Sequence, residues 1–313
     1  MNLRPTIVLL ALGLLASPAA AAERLTLMLD WFVNPDHAPI IVADQLGYFS
    51  ERGLDVEIVA PADPNDPPKL VAAGQADVAI TYQPQLHVQH DQGLPLTRIG
   101  TLVATPLNAL VALEGGPIQS LADLKGRKVG YSVGGFEDAL LGAMLASHGL
   151  SLNDVELVNV NFALSPALLS GQVDAVIGAF RNFELNQLDL EGSAGRAFYP
   201  EEHGVPAYDE LIFVANSARL DDPRLPKFID AIEAATLHIL NHPDESFSLF
   251  IEGRPELDDE LNRRAWRDTL PRLALRPAAL DTARYQRLGA FLQKQGLIET
   301  IPPVADYAVE LAR

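Results

Sequence analysis

Two α/β lobes, each built on a parallel sheet, are expected of this sequence. Three observations carry that expectation: an approximate internal repeat, the strand–helix alternation around both copies, and enough apolar residues for one large or two modest cores. The repeat lays LVAAGQADVAI, from Leu70 to Ile80, over ALLSGQVDAVI, from Ala167 to Ile177, and the Gly-Gln-x-Asp core and closing Ile coincide. Each copy reads as the end of a short helix, a glycine stop and a buried apolar strand. With 48% hydrophobic and 20% charged residues in a chain of 313, the composition is that of a folded globule rather than a disordered chain.

The flanks of the two copies match element for element. Upstream of the first lie a strand over 25–29, a helical stretch over 39–52 stopped at Gly53, and a strand over 56–59. Upstream of the second come a strand over 128–131, a helix over 136–148 stopped at Gly149, and a strand over 155–160. Two copies of β-α-β-α-β imply right-handed crossovers in each lobe. The stretch 101–113 reads as strand and runs into Gly115-Gly116-Pro117, a turn cluster suited to the first crossing, and the return falls at 209–216. The expected division is therefore 23–114 plus 209–313 for lobe one and 115–208 for lobe two, with helices over 222–240, 257–270 and 282–295. Ligands in such sheets sit beyond the carboxyl ends of the strands, which singles out the loops 30–39 and 132–136.

Residues 1–22 read as a secretory signal: Arg4, an apolar run from Ile7 to Leu15 too short to span a bilayer, and the small residues Ala16 to Ala22. The absence of cysteine rules out disulfides, thiolate nucleophiles, Cys-ligated zinc and attachment of lipid to an N-terminal cysteine. A secreted, unlipidated chain stays with its cell only behind a second membrane, so the periplasm is expected. The net charge of −18, with 41 acids and no basic run, argues against a nucleic-acid partner. A monomer without cofactor or metal is expected.

Four segments carry a resemblance: LDWFVNPDHAP from Leu29 to Pro39, Leu46-Gly-Tyr-Phe49, GYSVGGFED from Gly130 to Asp138, and Asn182-Phe-Glu184. Over about 24–300 the chain resembles the pyrimidine-precursor-binding proteins of bacterial thiamine salvage importers, within a group that includes aliphatic-sulfonate binders and yeast-type thiamine-pyrimidine synthases. The resemblance implies a type II periplasmic binding protein that closes on an aminopyrimidine such as N-formyl-4-amino-5-aminomethyl-2-methylpyrimidine. It also implies an ABC permease in the inner membrane as partner.

At the matching positions, Trp31, Tyr82 and Phe136 offer flat rings to a heteroaromatic ligand. The Glu184 carboxylate can accept two hydrogen bonds from an aminopyrimidine edge. Asn34, Asn108, Ser132 and the backbone amides of Gly134 and Gly135 offer polar contacts, and His37 and Phe183 complete the candidate set. The synthases' cofactor lysine and donor histidine fall at Thr81 and Gln85, so the chain is expected not to be an enzyme. His87 and His90 read as a solvated helix face. A phosphate site at Ser132 to Gly135 lacks a lysine and faces Glu137 and Asp138. The remaining rivals differ in cargo, an aliphatic sulfonate or a flavin, and Arg181 is the residue on which a sulfonate would depend.

Overall fold

The computed structural model describes residues 22–311 and contains two five-stranded sheets of matching order. The first lobe opens with β1 (Glu23–Met28), α1 (Ala38–Gln45), β2 (Leu54–Val59), α2 (Pro67–Ala72), β3 (Val78–Thr81), α3 (Gln83–Asp91) and β4 (Leu96–Val103). The second holds β5 (Asn108–Leu113), β6 (Lys128–Tyr131), α4 (Glu137–Ala146), β7 (Glu156–Asn159), α5 (Leu164–Leu169), β8 (Ala175–Phe180), α6 (Glu184–Leu190) and β9 (Gly195–Phe198). The chain then returns through β10 (Leu211–Asn216) to α7 (Arg224–Asn241), α8 (Pro243–Ile251), α9 (Glu260–Thr269) and α10 (Thr282–Lys294). The expected signal segment falls, but for Ala22, outside the described residues.

The sheets run β2-β1-β3-β10-β4 and β7-β6-β8-β5-β9. The first three strands of each are parallel, as expected, while the fourth is antiparallel to both neighbours. Each antiparallel strand adjoins a crossing between lobes: β5 enters the second sheet from the first lobe, and β10 enters the first sheet on the way back. The expected first crossing at Gly115 is therefore displaced. It lies at 104–107, where Pro106 lacks an N–H and ends the pairing, so 108–113 belongs to the second lobe.

The repeat has a structural reason. Gly74 and Gly171 both take φ 72°, the left-handed conformation that ends α2 and α5. Three residues on, Asp77 Oδ2 accepts the Thr26 N–H at 2.9 Å, and Asp174 Oδ2 accepts the Lys128 N–H at 2.9 Å. The aspartate thus fastens β3 to β1 in the first lobe and β8 to β6 in the second.

Both faces of both sheets are buried. In the first, Val78, Ile80, Leu211 and Phe213 point into one apolar cluster while Ala79, Ile212 and Val214 point into another. In the second, Leu110, Ala112 and Ile177 face one cluster and Ala109, Val111 and Val176 the other. That two-sided burial explains the continuous apolar runs in the strands. Arg98 on β4, fully buried, donates to the carbonyls of Pro277, Ala278, Ala279 and Val309, tying the C-terminal segment to the first sheet. No described helix is long and apolar enough to cross a membrane.

A candidate ligand cleft between the lobes

The residues after β1 and β3 in the first lobe meet those around β8 and α4 in the second across a narrow cleft. Its first wall comes from the segment after β1. The Asn34 carbonyl side chain accepts the Asp36 N–H at 2.8 Å, and its own N–H donates to His37 Nδ1 at 3.3 Å, which with Pro35 shapes a single 3-10 turn. Because Nδ1 of His37 accepts, Nε2 carries the hydrogen and points it at Asp30 Oδ1, 2.9 Å away. Tyr82 donates to the other Asp30 oxygen at 2.9 Å. Asp30, Asn34, His37 and Tyr82 therefore form one buried, bonded wall.

The opposite wall is built on β8. Ala109 pairs with Ala179 but Leu110 with Ile177, so Gly178 is an extra residue, a bulge, at φ 99°. Its N–H, lost to the ladder, donates to Asn108 Oδ1 at 3.1 Å. The bulge makes room for Glu137, the first residue of α4, whose Oε2 accepts the Ser132 N–H at 2.7 Å. Glu184 opens α6 and accepts the Phe180 N–H at 2.7 Å. Burial raises both carboxyls, Glu137 to about 8 and Glu184 to about 7, because the charged form loses water that its hydrogen bonds only partly replace. Burial likewise raises Asp36, to about 6.

Of the sequence-predicted residues, Trp31, Asn34, His37, Tyr82, Phe183 and Glu184 line the cleft together. Tyr82 and Phe136 stack on each other instead, with centroids 4.7 Å apart and planes 13° from parallel, which leaves Phe136 off the lining. Asn108, Ser132, Gly134 and Gly135 are also off it. Asn108 serves the bulge, the Ser132 hydroxyl donates to the Asn161 carbonyl, and the Gly134 N–H donates at 3.0 Å to Asn65 Oδ1. Asn65 Nδ2 donates back to the Ser132 carbonyl at 3.1 Å, so the glycine-rich loop latches one lobe to the other. Arg181 is engaged away from the cleft, with Glu201 at 2.6 Å and its guanidinium 4.0 Å over the Tyr199 ring.

Sequence reasoning missed Asp30, Asp36, Glu137 and Gly178. Glu137 read as a first-turn helix acid, Asp30 and Asp36 were not singled out, and a glycine inside an apolar strand was the available signal for the bulge. His87 is corrected as well: it is buried rather than solvated, edge-on to Tyr307 at 4.9 Å, and burial lowers it to about 3.

Two α/β lobes with matching sheet orders on either side of a buried cleft define a periplasmic-binding-protein fold. The alkanesulfonate-binding protein SsuA of Xanthomonas axonopodis pv. citri has the same fold, at TM-score 0.73 and 17% identity over 93% of this chain and 99% of that one. The chain belongs to the NMT1/THI5-like family, whose profile matches residues 34–246. A Haemophilus influenzae protein named for thiamine biosynthesis is 56% identical over 95% of each chain. The formylaminopyrimidine-binding protein of Halalkalibacterium halodurans is 34% identical over 82% of this chain and 78% of that protein. Family and fold together support a solute-binding role.

The expectation that the chain is not an enzyme is corrected. A 4-amino-5-hydroxymethyl-2-methylpyrimidine phosphate synthase of Legionella pneumophila is 30% identical over 80% of this chain and 79% of that protein. Membership of a family that contains such enzymes removes the ground for excluding catalysis, which rested on Thr81 and Gln85. Thr81, at the end of β3, donates its hydroxyl to Gln85 Oε1 in the first turn of α3 at 2.5 Å, and both side chains are buried.

Proposed function

We propose that this chain is the exported solute-binding component of an ABC-type importer and that it carries an aminopyrimidine precursor of thiamine. The ring lies against Trp31, and the amine and ring-nitrogen edge is read by Glu184. The observation that carries this reading is a buried carboxylate on a cleft whose lining includes neither lysine nor arginine. Such a site suits a neutral or cationic ligand rich in N–H donors and disfavours a sulfonate, which needs cations or many free amides. The pairing of Arg181 with Glu201 removes the one side chain on which a sulfonate reading depended. The formylaminopyrimidine-binding relative of Halalkalibacterium halodurans supports the same cargo. Residues 1–22, read as a signal, support export to the periplasm, where a permease in the inner membrane would be the partner.

Calorimetry of Glu184→Gln tests the reading, with formylaminopyrimidine and 4-amino-5-hydroxymethyl-2-methylpyrimidine as ligands. Loss of a charge-assisted pair predicts at least about a tenfold fall in affinity for both. Unchanged affinity, or stabilisation of the parent protein by taurine or riboflavin in place of the pyrimidines, overturns it.

A further inference from the structure

Asp36 is a buried acid that the reading above leaves unused. It is 1% exposed and borders the cleft. Its Oδ1 accepts from Asn182 Nδ2 at 2.7 Å and from the Thr269 hydroxyl at 3.0 Å, whereas Oδ2 has no hydrogen-bond partner among the described residues. A buried carboxylate oxygen without a donor is costly, and such atoms mark places where a donor arrives. Asp36 also lies near enough to Glu184 for its charge to act on that carboxyl. The two acids belong to different lobes and face one space.

The chemistry of a primary amine supplies what this pair lacks. An exocyclic NH2 carries two hydrogens, and a carboxylate that pairs with one of them and with the N–H of a protonated ring nitrogen leaves the second without an acceptor. We propose that Asp36 Oδ2 accepts this second hydrogen, so that Asp36 and Glu184 together demand a primary amine on the ring and reject its oxo counterpart. The inference rests on the aminopyrimidine reading and adds a second specificity-determining residue to it. Burial leaves the Asp36 carboxyl at about 6, so near neutral pH it is mainly an acceptor. Because Oδ1 is bonded to Asn182 of the second lobe, the amine is read at the seam that closes over it.

Asp36→Asn is the test. Asn182 and Thr269 both donate to the position of Oδ1, so the new amide keeps its oxygen there and turns its NH2 toward the cleft, exchanging an acceptor for a donor at constant volume. Calorimetry would compare 4-amino-5-hydroxymethyl-2-methylpyrimidine with its 4-oxo analogue. The parent should prefer the amine by at least about 100-fold. The variant should bind the amine at least about tenfold more weakly and the oxo compound more tightly than the parent does. Asp36→Ala should lose the preference without gaining affinity for the oxo compound. If Asp36 only holds the lobes together, both variants weaken both ligands alike, and the inference fails while the cargo reading stands. A parent that binds neither pyrimidine sinks the cargo reading and this inference with it.

Discussion

Replacing Gly178 with alanine should destabilise the protein by about 2–5 kcal/mol, and the structure says where the cost arises. The bulge holds this residue at φ 99°, where a Cβ carries a penalty of about 1–2 kcal/mol. That Cβ would also lie 2.6 Å from Glu137 Oε2, inside any real contact distance. The carboxyl has little room to retreat, since it is 4% exposed and bonded to the Ser132 N–H. Displacing it forfeits a buried hydrogen bond, about 1–3 kcal/mol more. Thermal unfolding should show the loss as a fall in Tm of roughly 4–10 °C, at about 2 °C per kcal/mol for a chain of this size. A double-mutant cycle isolates the second component: in a Glu137→Ala background, Gly178→Ala should cost only the backbone penalty. An equal cost in both backgrounds would refute the claim that the bulge exists to seat this carboxylate.

Stability should also fall as pH rises from about 6.5 to 8, because Glu137 at about 8 and Glu184 and Glu210 at about 7 hold protons in the folded chain that the unfolded chain has already released. His87, lowered to about 3, acts in the opposite sense while the unfolded histidine still binds a proton, so its opposing contribution has faded by about pH 7.5 and the three carboxyls outweigh it across this range. A urea midpoint that is flat or rising across it would contradict the assignment. Asn65→Ala, which removes two hydrogen bonds between lobes, should weaken pyrimidine binding roughly tenfold while shifting Tm by less than about 3 °C. Scattering from the unliganded variant should show a larger radius, and a radius equal to the parent's would mean that the latch does not set the closed population.

Most of the architecture was legible because it is written in local periodicity. β3 and β8 are apolar runs each entered from an aspartate, and the matched Gly-Gln-x-Asp segments place the same strand in each lobe. What escaped was set by partners distant in sequence. The antiparallel strand of each sheet comes from the far side of a crossing, and Pro106 was a weaker visible signal than the Gly115-Gly116-Pro117 cluster. Between the expected helices over 222–240 and 257–270 lies a further one, α8, which opens on Pro243 at its first position, where the missing N–H costs nothing. At the site, the loop after β1 was legible as a place and brought Trp31 and His37, and the segment after the 175–179 strand brought Glu184, whereas the singled-out loop 132–136 lies off the lining. Asp36 and Glu137 were not legible, since burial of an acid depends on the opposite lobe and leaves no trace in its neighbours along the chain.

The strand orders also bear on how the chain comes together during synthesis. Every strand of the second sheet lies within 108–198, a continuous stretch that can pair as soon as it emerges. The first sheet cannot: β10 stands between β3 and β4, so β4 has no strand to pair with until residue 216 has been made. Even then Arg98 has, of its native partners, only the Thr101 hydroxyl until the carbonyls of 277–279 and of Val309 arrive. The lobe begun first is the one finished last, and the N-terminal hundred residues must wait, incompletely folded, for the end of the polypeptide.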